Sequence, residues 1–277
     1  MASLQELRKR LRTIQSTGQL AGAMRTAATA KYARLTRVRT DFGPYAQACR
    51  DMLRLLGSAG IARTSDTVQA RDCLVILGGN RGMCGGFNAE LLRFLDRQLP
   101  TYRDPILLVG GRKAAAFLRE RGIAFEEFPV SDVPRYEELK PLADRLRELY
   151  VTGGAEQVLV IYQHFVNTLV QEPAARRILP EKGQEQGEDT DLLFLPDRDT
   201  IQAQLAVSCL DAELYDLALE NGAGAQAATL MAMRSACDNA EAFAANLELT
   251  INRRRQADVT SSVIETASGN FSAADPN

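Results

Sequence analysis

The chain has 277 residues, of which 33 are Lys or Arg and 35 are Asp or Glu, so its net charge at pH 7 is −2. A balance this close to neutral argues against a general nucleic-acid-binding protein. Five scattered cysteines without a C-x-x-C motif and a single histidine predict neither a disulfide framework nor a metal site.

The sequence has no apolar run of 18 residues, so no membrane-spanning helix is predicted. The first ten residues lack the apolar core of a signal peptide, and their leucines continue into a regular helical pattern. We therefore expect the N-terminal residues to belong to the mature protein.

Residues 1–58 predict one long helix, and Ser3 followed by Glu6 fits a capping box at its start. Pro44 is expected to bend or interrupt this helix. A first heptad seam consists of Leu4, Leu7, Leu11, Ile14, Gly18 and Ala21. A second seam, in a shifted phase, consists of Leu35, Val38, Phe42, Tyr45, Cys49, Met52 and Leu56.

The periodicity changes between residues 71 and 196, which predict an inserted α/β (Rossmann-like) domain. Short continuous apolar runs indicate buried strands at 73–77, 106–110 and 157–165, with helices at 87–99, 112–121 and 135–150. Residues 168–179 are expected to pair back on the third strand, and residues 192–196 to form a last short strand.

Residues 198–270 predict a second long helix, because no proline occurs between Pro196 and Pro276 and most residues are good helix formers. A helix of ~70 residues is roughly 100 Å long and needs packing partners along its length. Residues 1–58 hold eleven basic and three acidic side chains, whereas residues 198–277 hold eleven acidic and five basic ones. The predicted fold is therefore an α/β insert on a long antiparallel coiled coil of the N- and C-terminal helices.

A glycine-rich turn at 78–86 follows a predicted strand and opens a predicted helix, which is where a phosphate site is often found. Its spacing differs from G-x-G-x-x-G, and no Lys-Ser/Thr follows as in a P-loop. A tight turn with close strand–helix packing is the favoured interpretation, and no cofactor is predicted.

Two side chains suit nucleophilic or acid–base chemistry, Cys84 beside Arg81 and the lone His164, but neither has the partners that catalysis needs. Structural roles are favoured for both. Residues 253–255 are three consecutive arginines, which form either a nucleic-acid patch or a solvated helix face. We predict no catalytic and no metal-binding residues.

Several separate motifs resemble the gamma subunit, the central rotor shaft, of F-type ATP synthases. Residues 7–35 are similar to the family's opening helix, with its A-M-K/R step at 23–25 and its A-A-K segment ending at Lys31. Residues 80–88, NRGMCGGFN, resemble its D-R-G-L-C-G-G-x-N turn, and residues 164–180 its F-V-N-T strand. Further matches in the same order are Met231–Arg234, Asp238–Ala240, Asn252 and Arg255–Ala257.

The chain departs from the family pattern at three places. Gly79-Asn80 stands where the family usually has Ser-Asp, the C-terminal I/V-T-x-E motif is Val259-Thr260-Ser261-Ser262, and the terminal G-A is Gly269-Asn270. Two memberships remain open, the housekeeping subunit or the shaft of a second, divergent F-type complex.

The resemblance implies a non-catalytic subunit that couples ion flow to ATP synthesis or hydrolysis in a ring of alpha and beta subunits. Its implied partners are those subunits, the epsilon subunit and the c-subunit ring, with no nucleic acid. The implied location is peripheral, on the cytoplasmic face of the bacterial inner membrane. By matched position, the expected partner contacts are Met24, Arg25, Arg255, Gln256 and Thr260. The alternative from another class is a coiled-coil scaffold or adaptor with an α/β head; a hydrolase using Cys84 or His164 ranks third.

Overall fold

The computed structural model of the protein describes residues 3–56, 61, 71–180 and 197–272. Its helices are α1 (Leu4–Leu55), α2 (Phe87–Gln98), α3 (Arg112–Glu120), α4 (Tyr136–Val151) and α5 (Arg198–Ser272). Its strands are β1 (Arg71–Leu77), β2 (Ile106–Gly110), β3 (Glu126–Glu127), β4 (Ala155–Phe165) and β5 (Gln171–Leu179). A short 3₁₀ turn, Leu99–Thr101, follows α2.

The chain divides into two compact units. The first unit comprises Met1–Thr26 with Ala232–Asn277, and the second comprises Ala27–Met231. Helices α1 and α5 each contribute residues to both units. The predicted domain limits near residues 58 and 196, and the predicted strand at 192–196, lie outside the described residues and stay predictions.

The second unit is built on a mixed sheet in the order β3-β2-β1-β4-β5. The β1 strand pairs in parallel with β2 and β4, β2 pairs in parallel with β3, and β5 is antiparallel to β4. The strands at 73–77, 106–110 and 157–165 and the return strand were predicted. The β3 strand was not, because its two exposed acidic residues carry no apolar signal.

Side chains alternate between the two faces of the sheet and bury two separate cores. On one face, α2 and α3 cover a core that contains Leu74, Ile76, Leu107, Val109, Leu91 and Leu118. On the other face, α4, α1 and α5 cover a core that contains Val75, Val160, Leu142, Leu146, Leu35, Leu214 and Leu217. Because the long helices form part of one wall of this core, the insert and the helices fold as one body within the second unit.

Helices α1 and α5 pack together in antiparallel fashion inside the second unit. The C-terminal part of α1 meets the N-terminal part of α5, since the Arg198 Nη2 atom donates to the Leu56 carbonyl at 2.6 Å. Cys49 shares a buried cluster with Cys209, and Leu35 contacts Gly222 further along α5. The order of contacts along α5 is the reverse of that along α1, as predicted.

The same antiparallel pairing is found inside the first unit. Gly18 lies against Ala240, and Ala21 forms a cluster with Met233 and Cys237. The residues of the first predicted seam are buried or half-buried, while their neighbours on α1 are exposed. Ser3 and Glu6 form the predicted capping box, each side chain bonding the other residue's backbone N at 3.2 Å. The predicted coiled coil is therefore confirmed.

Helix α1 continues through Pro44 without an interruption, so of the two expected effects only a bend stays a prediction. Two residues before Pro44, Phe42 makes an edge contact with Tyr215, with ring centroids 4.8 Å apart. One detail of the α1 prediction is wrong: the second seam passes through Ala46 and Leu53, which are buried, instead of Tyr45 and Met52, which are about half exposed. The corrected seam keeps steps of three and four residues but shifts by one position at Ala46 and Leu53.

Candidate functional site

Met24 and Arg25, the first two predicted contact residues, lie on α1 in the first unit. Met24 packs partly against the apolar cluster around Ala21 and Met233, so only part of its side chain reaches solvent. Arg25 is exposed. The Arg25 side chain therefore lies on this surface, and the neighbouring Met24 side chain is partly buried in the cluster.

Arg255, Gln256 and Thr260 lie on exposed turns of α5, also in the first unit. The Thr260 hydroxyl donates to the Gln256 carbonyl at 2.8 Å, a bond within the helix that leaves the Gln256 side chain toward solvent. Nearby apolar side chains are more than half exposed as well: Val259, Val263 and Ile264. Arginine beside exposed apolar side chains is a composition typical of a protein–protein interface.

The backbone amides of Gly79 and of the start of α3, which face the glycine turn after β1, are bonded within the chain. The Gly79 amide donates to the Asn88 Oδ1 at 3.0 Å, and the Arg112 amide at the start of α3 donates to the Asn80 Oδ1 at 3.2 Å. The Lys113 amide donates to the Gly79 carbonyl. A phosphate cradle needs such amides free to point at the ligand. These amides instead bond the chain's own oxygens.

Helix α5 covers part of the space beyond the carboxyl ends of β1 and β2. In open α/β sheets, ligands bind in a crevice beyond the carboxyl ends of the strands. Here Asn221, Gly222 and Gln226 of α5 lie beside the glycine turn and leave a cavity of about 30 Å³. This space suits about one water molecule, not a nucleotide.

Asp132 joins the glycine turn to α1. Its Oδ2 lies 2.6 Å from the Lys31 Nζ and 3.3 Å from the Arg81 Nε, and Asn80 donates to its Oδ1 at 3.3 Å. Burial alone would raise the pKa of Asp132, but these three partners outweigh it and hold the pKa below its ordinary value. The carboxylate therefore ties α1 to the insert.

Glu220 of α5 is the centre of a second polar network and is only 2% exposed. Its Oε1 accepts the Phe165 amide at 2.9 Å and lies 2.6 Å from the His164 Nδ1. Its Oε2 accepts the Arg39 Nη2 at 2.8 Å. One buried carboxylate thus connects α5 with both β4 and α1.

Cys84 and His164 have separate neighbours in the structure. The Cys84 Sγ lies 3.0 Å from the Asn88 Nδ2 and 3.7 Å from the Arg81 carbonyl, contacts that close the glycine turn. His164 bonds Glu220. Among residues 3–56, 61, 71–180 and 197–272, no group of three His, Cys, Asp or Glu side chains is arranged to hold a metal ion.

The sequence analysis missed Asp132, Arg39 and Glu220 as structural anchors. A glutamate on a long helix is usually solvated. The opposite charges of the two helices predicted that they pair, but not which residues form ion pairs. One signal was available for Glu220: it lies between Leu217 and Ala223 in a stretch whose side chains are buried all round the helix.

No helix in the described part of the chain contains a stretch apolar and long enough to cross a bilayer.

Comparisons with known proteins cover almost the whole chain. A family model described as "ATP synthase" matches residues 3–272. An ATP synthase gamma chain of Rubrobacter xylanophilus is 30% identical over 286 residues, covering 97% of this chain and 98% of that relative. The gamma chain of Desulforamulus reducens is 29% identical over 278 residues, with the same coverage.

The fold also matches a solved structure. A chain from the OSCP/F1/c-ring assembly of Euglena gracilis mitochondrial ATP synthase superimposes with a TM-score of 0.71 and 17% identity, covering 98% of this chain and 94% of that one. At this identity the likeness concerns the fold alone. The family model and the bacterial relatives carry the further conclusion, which is that this chain belongs to the ATP synthase gamma chain family.

Proposed function

We propose that this chain is the central-stalk rotor subunit of a rotary F-type ATP synthase. It couples ion flow through a membrane sector to ATP synthesis or hydrolysis in a ring of alpha and beta subunits. The observation that carries the proposal is the antiparallel pairing of α1 with a 75-residue α5, combined with membership of the gamma chain family over residues 3–272.

The site geometry supports a mechanical role over a chemical one. The Gly79 amide bonds the Asn88 side chain, and α5 leaves a cavity of only about 30 Å³ beyond the ends of β1 and β2. In the proposal, ATP is made or hydrolysed in the beta subunits. The chain acts on them as a rotating ligand, and the work it transmits equals the difference in its contact energy with their successive states.

The proposed contacts with the catalytic ring are Met24, Arg25, Arg255, Gln256 and Thr260. Their exposure in the first unit supports this assignment, with Met24 partly packed. Exposed apolar residues on the same part of α5, such as Val259 and Val263, favour a surface that is covered in the assembled complex.

The proposed partners of the insert are the epsilon subunit and the c-subunit ring. The chain would then be a peripheral protein on the cytoplasmic face of a bacterial inner membrane, held there by its complex. The bacterial sources of the similar gamma chains support this location.

Co-expression with alpha and beta subunits tests the proposal. A tagged chain is expected to purify with both subunits in threefold excess, and the complex to hydrolyse ATP while the chain alone does not. A tagged chain that purifies without them, from cells that contain all three, would favour the adaptor hypothesis. ATP turnover by the chain alone would favour an enzyme.

A further inference from the structure

The contacts between the α/β sheet and the long helices are of two kinds. Most are apolar, such as those of Leu214 and Leu217 on α5 with the buried face of the sheet. Apolar burial stabilises this joint but is non-directional. Hydrogen bonds and ion pairs across the joint have defined geometry, so they also fix the position of the sheet along the helices.

The directional bonds include the ion pairs Lys31–Asp132 and Arg176–Glu213, and a further group lies on one turn of α5. Glu220 accepts from the Phe165 amide of β4 and from Arg39 of α1, and it contacts His164. The next residue, Asn221, accepts the Gln163 amide of β4 at 3.1 Å. Two consecutive residues of α5 therefore fix the position of β4 along the helix.

Arg39 adds a second constraint. Its Nε donates to the Asp216 Oδ1 at 3.1 Å while its Nη2 donates to Glu220, so one guanidinium spans carboxylates on successive turns of α5. A planar fork of this kind sets the register of α1 against α5, and a lysine cannot reproduce both bonds at once.

We propose that Glu220 is a positioning residue for the transfer of torque between the α/β insert and the paired helices. The proposal rests on the rotor function proposed above, in which work enters at the insert and leaves along α1 and α5. When ions drive the rotor, the insert and the paired helices are pushed in opposite directions along their contact surface. The bonds of Glu220 then keep the two parts in the same relative position.

The load on this joint depends on where the work is done. When alpha, beta and this chain hydrolyse ATP as a detached complex, the insert turns freely and the joint carries little load. When ion flow drives synthesis, all of the work crosses the joint. Loss of the network should therefore lower ion-driven synthesis more than hydrolysis by the detached complex.

The test compares Glu220→Gln with Glu126→Gln. Glu126 is also ion-paired, with its two carboxylate oxygens on Arg145, but both residues belong to the insert. Ion-driven ATP synthesis by the whole membrane complex and hydrolysis by its detached catalytic part are measured per assembled complex. The ratio of synthesis to hydrolysis is expected to fall about three- to tenfold in Glu220→Gln and to stay at the wild-type value in Glu126→Gln.

Arg39→Lys is measured alongside, because it keeps the positive charge but cannot make both hydrogen bonds, one to Asp216 and one to Glu220. It decides the test if Glu220→Gln does not assemble. A merely structural role would lower assembly and leave the ratio per complex unchanged, so a wild-type ratio in the assembled variants overturns the inference. Failure of the rotor function itself would appear earlier, as a wild-type chain that does not join the catalytic subunits.

Discussion

Gly18 of α1 faces Ala240 of α5, and a Cβ atom placed on Gly18 would lie 3.1 Å from the Cβ of Ala240. The Cys237 Sγ also lies 3.8 Å from the Gly18 carbonyl. The two helices of the first unit thus approach closely at a point where the sequence supplies the smallest residue. The contact makes Gly18 a structural requirement of the pair.

We predict that Gly18→Leu destabilises the pairing of α1 and α5 by about 1–3 kcal/mol, because the side chain cannot enter the contact without separating the helices. Gly22→Leu is the matched control, since nothing lies within 4 Å of a Cβ at Gly22. It should be neutral or stabilising through higher helix propensity. Thermal unfolding followed by circular dichroism in dilute solution measures both; equal midpoints for the two variants would contradict the packing argument.

A second prediction concerns Gly111, which has a φ of 111° and precedes α3. A Cβ there would lie 2.2 Å from the Gly78 carbonyl oxygen, a backbone atom of the glycine turn that cannot move aside. Gly111→Ala should therefore cost about 3 kcal/mol or more, since it adds a clash to the backbone strain.

Gly122→Ala separates the two effects. Gly122 also has a positive φ, 68°, but nothing lies within 4 Å of its added Cβ. Only the strain of about 1–2 kcal/mol should remain there. Urea unfolding of both variants checks the difference, and a loss of stability as large in Gly122→Ala as in Gly111→Ala would mean that the close approach to Gly78 is unimportant.

A third prediction follows from the lowered pKa of Asp132. Because the folded state holds this carboxyl with a pKa below its ordinary value of 3.8, it binds fewer protons than the unfolded state. The stabilisation is present above the ordinary pKa and is lost as the pH falls through the folded-state value. Asp132→Asn should therefore lower stability by about 1–2 kcal/mol near neutral pH and less in strong acid.

The measurement is the free energy of unfolding at several pH values for both proteins. In the variant, Lys31 and Arg81 face a neutral amide at every pH, so the acid dependence that comes from the Asp132 carboxylate disappears. Parallel curves for wild type and variant, down to the acid limit, would show that Asp132 is not ionically held.

The fourth prediction concerns Arg255 and Gln256 on α5. If their contacts with the catalytic ring change as the chain turns, Arg255→Ala with Gln256→Ala lowers the rate of ATP turnover more than it lowers assembly. Charge-assisted bonds worth ~1–3 kcal/mol correspond to a fall in turnover rate of about 5- to 150-fold. Because several contacts share the load, we expect a fall near the low end of this range.

Turnover is measured per assembled complex, with subunit content determined in the same preparation. Arg253→Ala is a suitable control, because it removes an exposed arginine from the same run without touching the two assigned positions. Wild-type turnover in the double variant would make these residues a solvated helix face and leave the fold unaffected.

The sequence predicted the helices and strands whose residues repeat with a clear period. The first seam of α1 is one case, since Leu7, Leu11 and Ile14 recur at heptad spacing and are half-buried as expected. The strand Ile106–Gly110 is another, because a short apolar run bounded by turns suits few other structures. The gamma chain family was also recognised from motifs in the correct order, and the comparisons confirm it.

The features that the sequence did not predict depend on contacts between residues far apart in the chain. Glu220 and Arg39 are separated by 181 positions, and no local pattern in the sequence pairs them. Helix α1 likewise continues through Pro44, where Phe42 packs on Tyr215, a contact between residues far apart in the chain that the local proline rule does not include. The short strand β3 forms because it pairs with β2. Two consecutive glutamates do not by themselves predict a strand.

Observation of rotation tests the central claim most directly. A complex of this chain with alpha and beta subunits is fixed to a surface through the beta subunits, and a probe is attached to the insert. On addition of ATP, the probe is expected to turn continuously in one direction and to stop when ATP is removed. ATP hydrolysis by the same immobilised complexes with a probe that stays in place would contradict it.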